Sequence, residues 1–507
     1  MPESGSVKET LTSDNRVAVV TISAPEEDGG AKKQEVQFHP DYKAMLDRFT
    51  TLLNSYHGGE LITDGQYLHN HPRESDDDFE FRRKRSKYYN YVRPVIDIYG
   101  AFLTQYPAKF SDNDLPDDLE AIQSDMDGMG ATREKFFRET VIPMTLLLTT
   151  SFIIVDKPTP AVDPPSRYHE IISGQMPYAR LILPTDLVNW KRDAFGRFEW
   201  AVIRKRNIAY ETPLDPIEQA EDTYVYYSPS EWYEMDAEGT VLGDKTTNPL
   251  GEVPIITCRP YRSNVYGLYG TSFGPDVADL ALKIYNVKSL EDEFYYKQCF
   301  PFLAFPGQVE QSKIGANNVI TFDPEGPPPL YVAPPVETTR ALQEEIDQNI
   351  REIYRLACLP YESDSREAES GYSKEFDWQT LTRRLKGLAD TFSHIEYEIY
   401  RLAGKWTGRE AAWSIPVEWS KEFQVRDLSR MIEAGLASKP LRLGARAEKE
   451  YKKKIARTLL PDADQETLAE VDEEIEAQPD FDSMIPTLRS FDSEGDDDDN
   501  GPDNQAP

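Results

Sequence analysis

Two stretches decide the architecture: Gly274-Pro-Asp-Val-Ala-Asp-Leu-Ala-Leu-Lys-Ile-Tyr-Asn-Val-Lys-Ser-Leu-Glu-Asp-Glu-Phe-Tyr-Tyr296 and Thr339-Arg-Ala-Leu-Gln-Glu-Glu-Ile-Asp-Gln-Asn-Ile-Arg-Glu-Ile-Tyr-Arg-Leu-Ala-Cys358. In the first, Val277, Leu280, Ile284, Val287 and Phe294 recur three or four apart, the spacing of one helix face. Gly274, Pro275 and Asp276 supply a rigid first turn and an anion at its start. This predicts a helix of about 20 residues, roughly 30 Å long. The second stretch places Leu342, Ile346, Ile350, Ile353 and Ala357 on one stripe, with Thr338 or Thr339 as the expected N-cap and Pro360 as the stop. Between the two, residues 300–305 and 318–322 read as short strands, while Pro306, Gly307, Pro324, Gly326 and the Pro327 to Pro329 run forbid helix. The expected layout is two rods joined by a β tip, suited to lining a passage rather than enclosing a pocket.

The chain has 507 residues, of which 39% are hydrophobic and 11% aromatic, enough for a sizeable core divided among two to four subdomains. Cys258, Cys299 and Cys358 are too dispersed for a C-x-x-C pair and odd in number for a disulfide framework, which favours a reducing compartment. The first thirty residues lack a basic segment followed by an apolar core, so no signal peptide is expected. The longest uncharged apolar stretch, 141–155, is shorter than the roughly 20 residues a membrane helix needs and contains Pro143; it reads as buried core, with no membrane association.

The formal net charge is −33. Residues 461–507 hold 17 acidic residues and one basic, so the acidity is shared between tail and body. The Asp496 to Asp499 run and the scarcity of aromatics predict a disordered acidic tail over 479–507, and 1–36 is expected to be a disordered N-terminal segment. Residues 37–151 read as mainly helical, with candidate helices at 42–54, 79–106 and 131–150. From 152 to 258 the pattern becomes a small antiparallel β module: 152–155, 179–183, 198–204, 223–227 and 253–257 are β-branched or aromatic, and 193–196 and 236–239 are turn-like. After the rods, 361–373 reads as a polar loop, with Ser373 available to cap the next helix. In that helix Leu381, Leu385, Leu388, Phe392, Ile395, Ile399 and Leu402 trace a heptad seam, which packs either inside one subunit or between two. A strand is expected within 413–419 and further helices near 425–434 and 445–459. The fold class is therefore α+β, mainly helical.

The order of these features carries a resemblance. Tyr266-Gly-Leu-Tyr-Gly-Thr-Ser-Phe-Gly-Pro-Asp-Val-Ala-Asp-Leu, Ile284-Tyr-Asn, Ser289-Leu-Glu-Asp-Glu-Phe and Phe300-Pro-Phe-Leu-Ala together resemble the portal (head-to-tail connector) proteins of tailed double-stranded DNA bacteriophages. Pro184-Thr-Asp-Leu-Val-Asn-Trp190, followed by the Asp193 to Gly196 turn, resembles the β segment of a portal wing, and Glu433-Ala-Gly-Leu-Ala-Ser438 part of a portal crown. The likeness covers about 37–478 through structural motifs that are individually loose. It implies a wing at 37–266, a first stem helix at 267–298, a clip at 299–335, a second stem helix at 336–360, a tunnel loop at 361–373, a long wing helix and strand at 374–424 and a crown at 425–478. It implies a homo-oligomeric ring, usually of twelve subunits, at one vertex of the capsid protein shell. Double-stranded DNA would pass through the ring, and the clip would meet the terminase motor or the tail adaptor.

On that resemblance, Glu362, Arg366, Glu369 and Tyr372 would face DNA from the tunnel loop, where a solvated linker is the plain alternative. Phe302, Phe305, Gln308, Lys313 and Tyr331 would form the partner-binding clip, and Lys452, Lys453 and Lys454 would lie near packaged DNA in the crown. Acidity fits a conduit, because basic surfaces hold duplex DNA by counterion release and a passage must not retain its cargo; the bland reading is that acidity confers solubility. Arg82-Arg-Lys-Arg85 is either a nucleic-acid patch or an ion-paired face. His69-x-His71 has no further ligand nearby, and no Walker, G-x-G-x-x-G, G-x-S-x-G or H-E-x-x-H pattern occurs, so neither metal nor cofactor nor catalysis is expected. A monomeric adaptor or minor capsid protein, which ring formation would exclude, and a nucleic-acid enzyme, which a nuclease or nucleotide-hydrolysis assay would expose, are the alternative functions.

Overall fold

The computed structural model describes residues 35–64, 67–111, 116–158, 166, 169–170, 173–206, 208–209, 218–219, 222–263, 267–299, 302–304, 330–332, 335–361, 371–423, 446, 449–450, 452–453, 455–456 and 465–477. The expected strand at 318–322 and helix at 425–434 lie outside them; of 445–459, residues 446, 449–450, 452–453 and 455–456 are helical.

The N-terminal part is helical, as its periodicity requires: α1 (Pro40–His57), α2 (Glu60–Thr63), α3 (Asp76–Arg85), α4 (Val92–Leu103), α5 (Asp117–Ser124), then α6 (Arg133–Lys135), a π-helical segment (Phe136–Val141) and α7 (Ile142–Leu147). The single helix expected at 79–106 is two. Ser86 ends α3 in an extended conformation with ψ 136°, and the tyrosine-rich linker beyond it has poor helix propensity. Asn90 Oδ1 then accepts the Arg93 N–H at 3.0 Å, and Pro94 fits only because it falls in the first turn of α4. Similarly, 131–150 is not one uniform helix. The Ile142 N–H reaches back to the Phe137 carbonyl, and Pro143, lacking an N–H, comes directly after it.

The β module contains a five-stranded antiparallel sheet in the order β10-β9-β8-β5-β4, formed by Val241–Thr247, Glu231–Met235, Thr223–Tyr227, Phe198–Lys205 and Leu187–Arg192. A three-stranded sheet, β11-β2-β3, joins Ile255–Cys258, Ser151–Asp156 and Tyr178–Ile182, and the short strands β6 (Ile208–Ala209) and β7 (Glu218–Gln219) pair with each other. Both expected turns occur. Asp193 Oδ1 accepts from the Phe195 and Arg197 N–H groups at 2.9 Å while Gly196 takes φ 88°, and Asp236 Oδ1 accepts from Thr240 N–H at 2.7 Å with Gly239 at φ 76°. Strand β4 falls within and just beyond the β segment read at 184–190, whereas β9 and β10 escaped the sequence reading; β10 is largely exposed and contains Gly243 and Asp244, so it lacks both apolar alternation and β propensity.

The rods are α8 (Gly274–Cys299) and α9 (Val336–Leu356), with β14 (Phe302–Ala304) paired antiparallel to β15 (Leu330–Val332) beyond their ends. Helix α9 starts on Pro335 in an extended conformation without a side-chain cap, so neither Thr338 nor Thr339 caps it. Thr339 turns inward and its hydroxyl accepts from Gln298 Nε2 at 2.9 Å.

The long helix α10 runs Gly371–Trp406, and all seven seam residues are buried. Of the two readings of the seam, the packing is within the chain: these residues belong to one core with α4, α7 and the β2 strand. Burying each such side chain stabilises the fold by about 1.5–3 kcal/mol. After α10, Trp413 ends α11 (Glu410–Trp413) rather than starting a strand, and only β16 (Val417–Glu418) pairs, with β1 (Lys109–Phe110). Pro416, which has no N–H for a ladder, precedes β16. The last described helix is α12 (Gln465–Ala477). Residues 141–155 are core as expected, with Val141, Ile142, Leu146, Leu147, Leu148, Phe152, Ile153 and Val155 all fully buried. Among the described residues, no helix is long and apolar enough to cross a membrane.

Candidate functional site

Helices α8 and α9 lie side by side and antiparallel. Near the β14–β15 end, Gln298 bonds to Thr339 and Gln343 Nε2 donates to the Tyr295 hydroxyl, while farther down Lys283 meets Glu345 at 2.8 Å and Asn349 Oδ1 at 3.3 Å. Progress toward the N-terminus of α8 is thus progress toward the C-terminus of α9. The bond from Lys283 and its charge hold the Glu345 carboxyl below the ordinary range.

One end of the pair is fastened to the body. Gly274 packs where a Cβ would sit 2.3 Å from the Leu146 carbonyl oxygen, and Arg48 Nη2 donates to Asp279 Oδ2 at 2.8 Å. The C-terminus of α9 is closed by Tyr99, whose hydroxyl donates to the Ala357 carbonyl, and by Arg384, which donates to the Leu356 carbonyl at 2.7 Å. Cys358 then adopts φ 52°, the left-handed exit usually taken by glycine.

One side of α8 is docked along its length. Asn286 accepts from His69 N–H and donates to the Tyr67 carbonyl, both at 2.8 Å, and Ser289 accepts from Arg82 Nη1 at 2.7 Å. Arg82 is buried and also binds Glu74 at 2.7 Å; that bond holds the Glu74 carboxyl below its usual range. Arg85 pairs with Glu293 and lies 4.1 Å from the Phe81 ring and 4.3 Å from the Tyr296 ring, while Arg83 pairs with Glu80 at 2.6 Å. The ion-paired reading of this basic run therefore describes Arg82, Arg83 and Arg85. Sequence reasoning did not see that it clamps α3 to α8, because the partners lie more than 200 positions away.

The free ends of the rods are less covered. In the stripe of α9, Ile353 and Ala357 are fully buried, whereas Leu342, Ile346 and Ile350 are only half-buried. Leu290, Tyr295 and Tyr296 of α8 are exposed, as is Leu330 of β15. A cleft of about 420 Å³ opens between the rods and the α3–α4 linker, lined by Tyr89, Tyr91, Ile284, Lys288, Glu291, Gln343, Ile346 and Asp347. Each rod carries five acidic and three basic residues. Most are neutralised by pairing, so the outward negative charge rests on Asp276, Glu337 and Asp347, which make no ion pair among the described residues.

Phe302 and Tyr331 fall on the paired strands β14 and β15, where Phe302 is opposite Val332 and Tyr331 opposite Leu303. Phe305, Gln308, Lys313, Glu362, Arg366, Glu369 and Lys454 lie outside the described residues. Tyr372 belongs to the first turn of α10 rather than to a loop, and Ser373 lies inside that turn instead of capping it: Gly371 already enters the helix, at an end where its entropic cost is small. Lys453 pairs with Glu476 of α12 at 2.6 Å, and Lys452 is exposed. No group of three or more metal-ligating side chains occurs among the described residues.

No family profile and no curated protein matches the sequence. Among solved structures, the neck of an empty gene transfer agent (GTA) particle computed with C6 symmetry aligns at 13% identity over 69% of this chain and 85% of that chain, with TM-score 0.35. The virion of a native GTA particle aligns at 12% identity over 69% and 84%, with TM-score 0.35. The neck of a native GTA particle computed with C12 symmetry aligns at 12% identity over 84% and 96%, with TM-score 0.37. Likeness at this level says nothing about what this chain binds.

Proposed function

We propose that this chain is the subunit of a ring-forming virion connector: a portal-type protein through which double-stranded DNA enters and leaves a phage or phage-like particle. The observation that carries the reading is the antiparallel pair α8 and α9, fastened to the body at one end and extended by the β14–β15 pair at the other. Its exposed apolar residues and half-covered stripe suit contact with identical neighbours, and its unpaired carboxylates suit a surface that repels phosphate. The order of sequence features that resembles portal proteins supports the same reading. The ring would number about twelve copies, sit at the portal vertex of the capsid, and present 299–335 to the packaging motor and the tail adaptor. The role is structural, with no catalytic step.

Electron microscopy of the purified chain tests it. Discrete annuli with a central hole are expected, whereas a monodisperse monomer under every assembly condition would overturn the proposal. Measuring nucleotide hydrolysis and metal-dependent nuclease activity on the same preparation, with none expected, tests the absence of catalysis.

A further inference from the structure

In this acidic protein, three arginines gather around one hairpin, and none of them is ion-paired among the described residues. Strands β12 (Tyr261–Arg262) and β13 (Gly270–Thr271) pair with Arg262 opposite Gly270. Arg259 enters from just before β12, where its Nη1 lies 3.5 Å from the Leu268 carbonyl oxygen. Arg192, at the end of β4, reaches the same turn: its Nη2 lies 3.4 Å from where a Cβ on Gly267 would stand, so glycine leaves room for the guanidinium. Two guanidinium groups thus flank neighbouring residues, Gly267 and Leu268, and the third arises from the strand beside them.

Cations elsewhere in this sheet are met by acids. Lys191 pairs with Glu199 at 2.6 Å, Arg197 with Asp193 at 2.9 Å, and Arg204 and Arg206 share Asp186. Arg192, Arg259 and Arg262 make no ion pair among the described residues; nearby Asp41 stays 3.8 Å from His39, which stacks on Trp190. Burial first, and then the charges of Arg192 and Arg262, push the Arg259 guanidinium below its ordinary range. In a chain with 89 acidic residues, such a cluster is stable only at a cost that an anion would relieve. Arg262 is exposed and the other two are half-buried, so the cluster opens to solvent.

We propose that Arg192, Arg259 and Arg262 form a site for phosphate oxygens, either of free phosphate or of the backbone of duplex DNA. Planar guanidinium forks match the oxygens of a phosphate in pairs, and several around one anion supply the charge that a single fork lacks. The site is separate from the rods and does not depend on the ring reading, since a monomer would hold it equally.

The test uses the full chain, its Arg262→Gln variant and its Arg192→Gln/Arg259→Gln/Arg262→Gln variant, probed with inorganic phosphate, a short duplex DNA and an oligo-aspartate peptide. Phosphate is expected to raise the melting temperature of the wild type and not of the triple variant. If duplex binds, the slope of log affinity against log salt should fall by about 0.9 for Arg262→Gln and by up to about 2.7 for the triple variant. Phosphate binding that duplex cannot displace assigns the site to the free ion, and competition between them assigns it to the DNA backbone. Unchanged phosphate stabilisation and an unchanged slope in both variants would overturn the proposal, as would tighter binding of oligo-aspartate than of phosphate. Circular dichroism of each variant reports whether it folds, and the exposed Arg262→Gln change keeps the test decisive if the triple variant does not. Failure to form annuli bears on the proposed function and leaves this site standing.

Discussion

Arg133 and Glu396 bury opposite charges in the centre of the molecule. The guanidinium Nε donates to Glu396 Oε1 and its Nη2 lies 2.7 Å from Oε2, the Tyr400 hydroxyl donates to Oε1 at 2.7 Å and Trp419 Nε1 donates to Oε2 at 2.5 Å, so each carboxylate oxygen is met twice. Burial, with the Glu396 charge behind it, raises the Tyr400 hydroxyl well above its ordinary range and keeps it a donor. Removing one ion leaves the other uncompensated. Arg133→Met should therefore cost about 3–5 kcal/mol in urea unfolding, while Arg133→Met/Glu396→Leu should cost clearly less than the single change. Gly274 gives a second residue-scale prediction. A Cβ there would stand 2.3 Å from one backbone atom and 2.9 Å from another, neither able to swing away as a side chain would. Gly274→Ala should destabilise by about 1–3 kcal/mol despite alanine's better helix propensity, read as a lowered melting temperature.

Elements differ in how completely they are used by the single chain. Leu385 on α10 is fully buried, so Leu385→Ala should cost about 2–5 kcal/mol by denaturant titration. On α9 the two ends should diverge. Ile353→Ala, at a fully buried position, should cost a similar amount, whereas Leu342→Ala, half-buried, should barely move the unfolding midpoint yet lower the yield of annuli seen by microscopy. Equal annulus yield for Leu342→Ala and wild type would remove that stripe from subunit contact. The rods and the seam were legible in the sequence because 3.6-residue periodicity records burial on one face, and α8, α9 and α10 each hold that pattern for several turns. Strand β10 left no such record because its residues are mostly exposed, and the break at Ser86 was hidden because the helical pattern resumes within a few residues. The clamp of Arg82 on Ser289 and the arginine cluster at Gly267 could not be read at all. Both depend on residues brought together across long separations, and local spacing carries no trace of a distant partner.

Across the whole molecule, charge governs response to solution. Bonds from Arg82 hold Glu74, and from Thr223 hold Glu234, below their ordinary range; Glu252, raised by burial, is brought lower still by Arg401 and Lys405. A carboxyl whose folded value is depressed contributes stability above its unfolded value, about 4.5, and loses it as pH falls through the folded value. Asp156, raised by burial, works in the opposite sense. With Glu345, which Lys283 also depresses, at least four such carboxyls stand against one, and the melting temperature should fall as pH is lowered from 6 toward about 3.5. In the proposed ring, subunits each carrying −33 would repel, so raising salt from about 0.05 M to about 0.5 M should increase the fraction sedimenting as a ring, and a decrease would point to attraction between opposite charges at the contact. The seam of α10 has a consequence for how such an assembly begins. Its longest apolar stripe is already covered within the chain, so in the proposed ring a protomer would need no companion as a template, and the moment of association would be set by how many copies are present and how well their charge is screened.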